Sequence, residues 1–307
     1  MYVEEKNCLV YISKDNLKVV LSCLGASIVE ICFDDDLLTL TPVNYEDLNR
    51  EDIYYGKTIG PIANRVQDGL IKIENKSFYL PLNEKGVSNH SGNIGLSNKM
   101  FNYTIKDNKI IFTFKDSVFD SEVTYEVIYS FIKENEIRID YKVTTSDKAV
   151  ISLTNHTFFN LGESSIDNLL LQINADSFIE TDRETLVPQN IKPVNTCLNF
   201  TSKKAILKDI NDPYLTNHKA HGYDHCFILN SNKVELESTK YCLDIESNYP
   251  CCQIYSDNYP DGVITKNSNS SSRRAVAIEP EDNLLERVVI HKGEIYQRYI
   301  VYSFKKL

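Results

Sequence analysis

A histidine lies among small polar residues in residues 151–162, ISLTNHTFFNLG, a segment that is otherwise apolar. Alternation along a strand would place Ser152, Thr154 and His156 on one face and mostly apolar residues on the other. A buried polar group needs a hydrogen-bonding partner, so an imidazole is a poor choice for filling a core. His156 is therefore a candidate for acid or base chemistry, and an ordinary hydrogen-bonded core histidine is the alternative. The same alternation assigns Asn155 to the core face, unless a β-bulge turns it toward the cleft.

Two acids lie at the ends of predicted strands. Glu279 closes the apolar run AVAIE just before Pro280, which we expect to break the hydrogen-bonded ladder, so that the carboxylate is fixed and partly desolvated. Asp224 opens a second predicted strand in HGYDHCFIL. The alternatives are an exposed strand-end acid for Glu279 and a turn-stabilising acid for Asp224.

Further polar residues could line a cleft. Asn64 and Arg65 lie in the loop GKTIGPIANRV, where the guanidinium could form paired hydrogen bonds with ligand hydroxyls or simply join a surface ion pair. Gln253 and Tyr255 share one face of the strand CCQIYSD, although half-buried strands often carry such residues.

The sequence argues against several classes of protein. It contains no glycine-rich phosphate loop and no G-x-S-x-G serine-hydrolase motif. His218, His221 and His225 precede Cys226 in the pattern H-x-x-H-x-x-x-H-C, but Gly222 indicates a loop that enters a strand, which is not the usual setting of a zinc site. We therefore expect no metal at these histidines.

Composition limits the kinds of binding partner and the cellular compartment that the sequence predicts for this protein. The 307 residues carry a formal charge of -10, which argues against nucleic acid or an anionic membrane as the main partner. No run of about 18 apolar residues occurs, and the N-terminus lacks the pattern of a signal peptide. The eight cysteines include no C-x-x-C and resemble reduced, structural thiols. We expect a cytoplasmic protein.

The hydrophobic pattern predicts an all-β fold. Short β-branched and aromatic runs alternate with turns rich in Asn, Asp and Gly, and the clearest hairpin pairs residues 123–131 with residues 137–143. Residues 70–80 and 101–114 are predicted to form two more hairpins. Single strands of similar length and spacing are predicted for residues 149–159, 169–173, 226–229, 233–237, 241–245, 252–255, 275–278 and 296–304. We expect one domain, residues 1–307, built as a large antiparallel β-sandwich. A short helix in residues 44–52 and a mobile polar loop in residues 266–274 complete the prediction.

These residues resemble a known family. TNHTFFNL is similar to the Asn-His-Thr/Ser-Tyr-Phe-Asn-Leu signature of the aldose 1-epimerases, the galactose mutarotases. Other matching pieces follow in order and span nearly the whole chain: Gly25-Ala26-Ser27, Ala63-Asn64-Arg65, His90, Gly222-Tyr223-Asp224-His225, Gln253-Ile254-Tyr255, Asp261-Gly262 and Glu279. The resemblance implies a β-supersandwich that binds a small aldose sugar on its concave face and uses no cofactor or metal.

The resemblance also implies roles for individual residues. Glu279 would be the general base and His156 the general acid, and the sugar would be held by Asn64, Arg65, His90, Asp224 and Gln253. Mutarotation requires one group to take the proton of the anomeric hydroxyl and another to protonate the ring oxygen, which opens the ring. We expect an ionised glutamate and a protonated histidine near neutral pH, because proximity favours both charges.

Departures from the family pattern leave other functions open. The chain has Ser91 after His90 where His-Gly-Gly is usual, and Pro61 where relatives often carry arginine. After Glu279 it reads Pro280-Glu281-Asp282-Asn283 in place of the expected Gln and Pro-Asp. We expect these changes at the lip of the site, where they would alter the choice of sugar.

Three alternatives follow. A sugar phosphate could be held by Arg65, Arg183, Arg273 and Arg274, as in hexose-6-phosphate epimerases. A second alternative is a sugar-binding or regulatory protein without turnover. A third is a glycoside hydrolase that uses Glu279, although the sequence identifies no second acid paired with it.

Overall fold

The fold is built almost entirely from β-strands. The computed structural model describes residues 1–6, 8–268 and 271–307. The described residues form 28 strands, of which the first ten are β1 (Tyr2–Lys6), β2 (Leu9–Lys14), β3 (Leu17–Ser22), β4 (Ser27–Phe33), β5 (Asp36–Leu37), β6 (Thr58–Ile59), β7 (Arg65–Gln67), β8 (Leu70–Ile73), β9 (Lys76–Tyr79) and β10 (Val87–Asn89). The next ten are β11 (Asn102–Lys106), β12 (Lys109–Val118), β13 (Ser121–Lys133), β14 (Glu136–Thr145), β15 (Lys148–Ile151), β16 (Thr154–Asn155), β17 (Phe158–Phe159), β18 (Leu170–Ile173), β19 (Ser177–Thr181) and β20 (Pro188–Pro193). The last eight are β21 (Lys204–Ala205), β22 (Asp224–Ile228), β23 (Lys233–Glu237), β24 (Tyr241–Ser247), β25 (Cys251–Tyr255), β26 (Val276–Glu281), β27 (Val288–His291) and β28 (Tyr296–Lys306).

Helices are short. Among the described residues, one α-helix, α1, covers Pro213–Thr216, and 3₁₀ turns cover Tyr45–Asn49, Gly92–Ile94, Leu96–Asn98 and Ile206–Asp209. The first of these turns confirms the helix predicted in residues 44–52. Its N-cap is Asn44, whose side chain accepts a hydrogen bond from the Glu46 N–H, as expected of asparagine at a helix start.

Three antiparallel sheets make up most of the molecule. Within the described residues, β1 to β5 form a five-stranded meander, and a nine-stranded sheet has the order β11-β12-β13-β14-β28-β24-β23-β18-β21. A six-stranded sheet has the order β17-β26-β25-β22-β19-β20. The prediction of a large antiparallel β-sandwich is confirmed, whereas its organisation as one domain stays a prediction.

The six-stranded sheet has two different faces. Ile278 of β26, Ile254 of β25 and Phe227 of β22 are buried in the main core with residues of the nine-stranded sheet. Tyr302 of β28 contacts Phe159 across this core, with 5.1 Å between the ring centroids. Because side chains alternate along a strand, the neighbours of these residues in sequence must face the opposite side of the sheet. That side carries the candidate site.

The strand predicted for residues 149–159 is interrupted. It forms three short strands, β15, β16 and β17, which pair with β27, β6 and β26 respectively. Asn155 is fully buried, and its side-chain amide donates to the Gly56 carbonyl at 2.9 Å while its side-chain oxygen accepts from Tyr302 at 3.3 Å. Asn155 therefore lies on the core side, as simple alternation predicts, and ties the histidine segment to the Gly56 loop.

The expectation that Pro280 ends its strand is wrong. β26 continues to Glu281, and Pro280 pairs with Cys252 of β25. On the other edge, β17 pairs only with Val276 and Ala277, so no ladder partner is lost beside the proline. The Pro280 carbonyl accepts a hydrogen bond from the Thr154 hydroxyl at 2.8 Å instead.

The loop predicted to be mobile is described only in part, and other sequence features can also be compared with the structure. Of the loop predicted to be mobile, residues 269 and 270 lie outside the described residues, and its last residue, Arg274, is fully buried. No helix in the described part of the chain has the length and apolar character needed to cross a membrane. All eight cysteines are free thiols, as the sequence predicts.

Candidate active site

Adjacent strands of the six-stranded sheet present polar side chains on the face opposite the main core. Gln253 pairs directly with both Glu279 and Cys226, and Tyr255 pairs with Asp224. Residues that lie opposite each other in antiparallel strands project from the same face. The register therefore brings Glu279, Gln253 and Asp224 together, although they are far apart in sequence.

His156 and Glu279 lie next to each other. His156 Nε2 is 3.5 Å from Glu279 Oε1, and the two residues are 6% and 3% exposed. Aromatic rings enclose the imidazole, with centroid distances of 5.7 Å to Tyr54 and 4.9 Å to Phe158. His156 Nδ1 is buried without a hydrogen-bonding partner among the described residues, which leaves Nε2 as the nitrogen next to Glu279.

Burial determines the charge of this pair. It lowers the pKa of His156 to about 4. It also raises the pKa of Glu279 well above its ordinary value, and the nearby carboxylates of Glu281 and Asp224 raise it further. Desolvation is the largest cause of both pKa shifts and opposes the charged forms that proximity was expected to favour. The neutral imidazole and the protonated carboxyl are the favoured forms, so the pair carries one transferable proton.

A strained loop orients His90. Asn64 and His90 both have left-handed backbones, with φ of 62° and 53°. The Asn64 N–H donates to His90 Nδ1 at 3.2 Å, so Nε2 is the nitrogen free to carry the ring proton. Burial, followed by the charges of His156 and Arg65, lowers the pKa of His90 well below its ordinary value. His90 is therefore a neutral hydrogen-bond donor beside His156, with 5.6 Å between the rings.

A hydrogen-bonded chain links the other predicted binding residues. Asn64 Nδ2 donates to Gln253 Oε1 at 3.2 Å, and Gln253 Nε2 donates to the Asp224 carboxylate. Arg65 Nη1 lies 3.5 Å from Asp224 Oδ2, and Arg65 Nε lies 3.4 Å from Glu84 Oε2. Each group holds the next in place, as expected of a preorganised site for hydroxyl groups.

All seven predicted site residues line one cavity of about 270 Å³, near the lower end of the range for small-molecule sites. The cavity also includes residues to which the sequence assigned no role in the site, Tyr54, Asp257 and Tyr259, and it includes Glu281. Tyr54 lies within the stretch DIYYGK, which carries no recognisable motif, and only its contact with His156 identifies it.

Arg274 anchors one wall of this cavity. It is 1% exposed and bonds through Nε to Asp257 at 2.7 Å and through Nη2 to Asp261 at 2.8 Å. Tyr55 also donates to the Asp261 carboxylate. Because its donors are all directed to these acids and to the Val263 carbonyl, Arg274 has none left for a ligand phosphate.

We expect Arg274→Gln to destabilise the fold by about 3–5 kcal/mol, because the change leaves the buried Asp257 carboxylate and the partly buried Asp261 carboxylate without their cation. Urea unfolding followed by circular dichroism measures the difference. The matched control is Arg273→Gln, since the Arg273 side chain is 40% exposed and lies 3.8 Å from Asp167. Equal losses of stability in the two variants would contradict the anchoring role.

The arginines considered for a phosphate do not converge. Of Arg65, Arg183, Arg273 and Arg274, only Arg65 lines the cavity. The departures from the family pattern are also not at the lip, since Ser91, Pro61 and Glu281 are buried. The Ser91 hydroxyl bonds both the carbonyl and the N–H of Ile62, at 3.0 and 2.9 Å, and so ties the His90 loop to the Asn64 loop.

The candidate metal ligands are dispersed as well. The rings of His218 and His225 lie 5.9 Å apart, whereas His221 packs near Tyr259 at the cavity. Elsewhere in the described ranges, Glu235, Glu237 and Cys242 lie close together, but Lys203 forms ion pairs with both acids.

Known proteins resemble this chain in sequence. Galactose mutarotase from Rattus norvegicus is 27% identical over 231 residues, which cover 69% of this chain, and the chain spans 64% of the length of that protein. Aldose 1-epimerase from Haemophilus influenzae is 27% identical over 232 residues, which cover 70% of this chain and 67% of that protein.

Solved structures share the fold. A galactose 1-epimerase from Lactobacillus acidophilus superposes with a TM-score of 0.87 at 23% identity, covering 99% of this chain and 98% of that one. An aldose epimerase homologue from C. elegans superposes with a TM-score of 0.86 at 22% identity, covering 97% of this chain and 99% of that one. The family model described as aldose 1-epimerase matches residues 8–303. This chain therefore belongs to the aldose 1-epimerase family.

Proposed function

We propose that this protein is an aldose 1-epimerase that interconverts the α and β anomers of a neutral hexose such as galactose or glucose. The observation that carries the proposal is the Glu279–His156 pair, 3.5 Å apart in a cavity lined by hydrogen-bonding groups. A base and an acid that share one proton are what ring opening and closure require. Membership of the family adds support, since the relatives above are named galactose mutarotase and aldose 1-epimerase.

Glu279 acts as the base and His156 as the acid in the proposed reaction. Glu279 takes the proton of the anomeric hydroxyl, and His156 gives a proton to the ring oxygen, which opens the ring so that the C1 carbonyl can turn before closure. Sugar hydroxyls that donate to Glu279 stabilise its ionised form, which moves the shared proton to His156 on binding. Reclosure reverses both transfers, so the enzyme ends in its starting protonation state.

The binding residues play different parts. His90 offers a neutral Nε2 donor, and the Arg65–Asp224 pair offers both donors and acceptors to vicinal hydroxyls. The backbone strain at Asn64 and His90 brings both side chains to the cavity wall. No step in this scheme requires a cofactor.

Polarimetry on freshly dissolved α-galactose and α-glucose tests the proposal. We expect a first-order approach to anomeric equilibrium that is faster than the buffer reaction in proportion to enzyme concentration. A rate equal to the buffer reaction would contradict it. Because Glu281 and Asp224 add acids near Glu279, aryl galactoside hydrolysis is measured in parallel, and release of the aryl group would favour a glycoside hydrolase.

We expect hexose 6-phosphates to react with kcat/KM at least about tenfold below that of the neutral sugars. Six carboxylates line the cavity, those of Asp52, Asp224, Asp257, Asp261, Glu279 and Glu281. Arg65 is the only arginine in the lining of the described cavity, and it already faces Asp224 and Glu84. Anomer exchange measured by NMR on glucose and glucose 6-phosphate compares the two. Equal or faster reaction of the phosphate would favour a hexose-6-phosphate epimerase.

A further inference from the structure

Glu281 is a second acid on the cavity face of β26. It follows Glu279 by two residues in an extended strand, so the two side chains share a face about 7 Å apart along the backbone. Both line the same cavity, and Glu281 is 1% exposed. The proposed reaction gives this acid no role.

Donors and one cation surround Glu281. Asn64 Nδ2 lies 3.5 Å from Glu281 Oε1, and the Cys226 thiol on β22 is also within hydrogen-bonding reach. The positive charge of Arg287 acts on Glu281, and Arg287 Nη1 is buried without a hydrogen-bonding partner among the described residues. The acid next in sequence, Asp282, opposes ionisation but is itself paired with Arg298.

Fewer groups stabilise a negative charge on Glu279 than on Glu281. The acids Glu281 and Asp224 and the cation Arg65 act on it, and His156 lies beside it. The Tyr302 hydroxyl and the Cys252 thiol are its other titratable neighbours, and burial raises the pKa of both well above their ordinary values. Burial raises the pKa of Glu281 to about 8 but raises that of Glu279 well above its ordinary value. Asn64 and Arg287 stabilise a negative charge on Glu281, so we expect Glu281 to ionise first as the pH rises. Its charge, about 7 Å from Glu279 along the same strand face, then opposes loss of the proton from Glu279.

We propose that Glu281 is a positioning residue that acts through Glu279. When the solution becomes alkaline, the negative charge of its carboxylate keeps the proton on the Glu279–His156 pair. Glu281 thereby extends the reaction to higher pH. This inference rests on the proposed function, since the shared proton matters only if the pair performs acid and base catalysis. Arg287 and Asn64 serve to hold the charge of Glu281.

The test is the pH profile of kcat/KM for wild type and Glu281→Gln between about pH 6 and 10, each normalised to its own maximum. Glutamine keeps an oxygen that can accept from Asn64 and removes only the charge. We expect the alkaline limb of Glu281→Gln to fall about one pH unit below that of wild type. At a pH one unit above the variant's midpoint, wild type should therefore retain a roughly fivefold larger fraction of its own maximal kcat/KM than the variant does. Glu281→Asp, which keeps the charge, should leave the limb near that of wild type.

An unmoved alkaline limb in Glu281→Gln would overturn the proposal, even if the maximal rate fell, because loss of packing alone does not shift a titration. Carboxyl carbon NMR on ¹³C-labelled glutamate provides a readout that needs no turnover. The Glu279 signal, identified by its loss in Glu279→Gln, should titrate in two steps in wild type and at lower pH in Glu281→Gln.

This second measurement separates the two possible failures. A single-step Glu279 titration in wild type would overturn the role of Glu281 even if Glu281→Gln did not fold. Wild type that shows the two-step titration but no anomerisation would refute the proposed function and leave the electrostatic link between the two acids established.

Discussion

Glu279→Gln is expected to lower kcat by roughly 10²–10⁴ and to change KM little. The amide has nearly the same shape as the carboxyl group and still accepts a hydrogen bond, but it cannot take the proton of the anomeric hydroxyl. Because Glu279 is buried 3.5 Å from His156, water has little room to replace it as a base. Polarimetry with a series of sugar concentrations separates kcat from KM.

The control for this variant is Glu286→Gln, an exposed acid in the segment after β26. It should keep the wild-type rate and the wild-type unfolding transition. Near wild-type turnover in Glu279→Gln would remove the proposed base, whereas a large rise in KM with kcat preserved would assign Glu279 to binding alone.

His156→Asn is expected to lower kcat by roughly 10²–10⁴ as well. Asparagine has no group that exchanges a proton near neutral pH, so protonation of the ring oxygen loses its donor. The fold should tolerate the change, because the backbone of His156 makes the local hydrogen bonds, from its N–H to the Lys57 carbonyl and from the Gly56 N–H to its carbonyl, both at 2.9 Å. Anomer exchange NMR at saturating sugar measures the loss.

His291→Asn is the matched control, since His291 is an exposed residue at the end of β27. Its rate should equal that of wild type. If His156→Asn retained wild-type turnover while unfolding normally, His156 would be a packing residue of the kind that the sequence left as the alternative.

Much of the fold could be predicted from residue alternation. The hairpin of β13 and β14 was predictable because apolar residues alternate with Arg138, Asp140 and charged neighbours, which fixes one buried face. The interruption between β15 and β17 was not, because it depends on which distant strand each short piece pairs with. Local pattern carries no information about partners such as β6 or β27.

The site was predictable in its members and less so in its electrostatics. All seven predicted residues line one cavity, and the family resemblance had identified each of them individually. The charges of His156 and Glu279 could not be predicted, since they depend on complete desolvation that appears only once Tyr54 and Phe158 enclose the imidazole. The burial of Glu281 could not be predicted either, because it depends on β26 continuing past Pro280 beside β25.

Exchange NMR on equilibrated galactose shows whether this protein catalyses the interconversion of the two anomers. At anomeric equilibrium the α and β signals should show magnetisation exchange that scales with the concentration of wild-type protein, and Glu279→Gln and His156→Asn should reduce that exchange to near the buffer rate. Sugar signals that broaden or shift with added wild-type protein, while no exchange between anomers appears, would contradict catalysis and identify a sugar-binding protein that does not turn over its ligand.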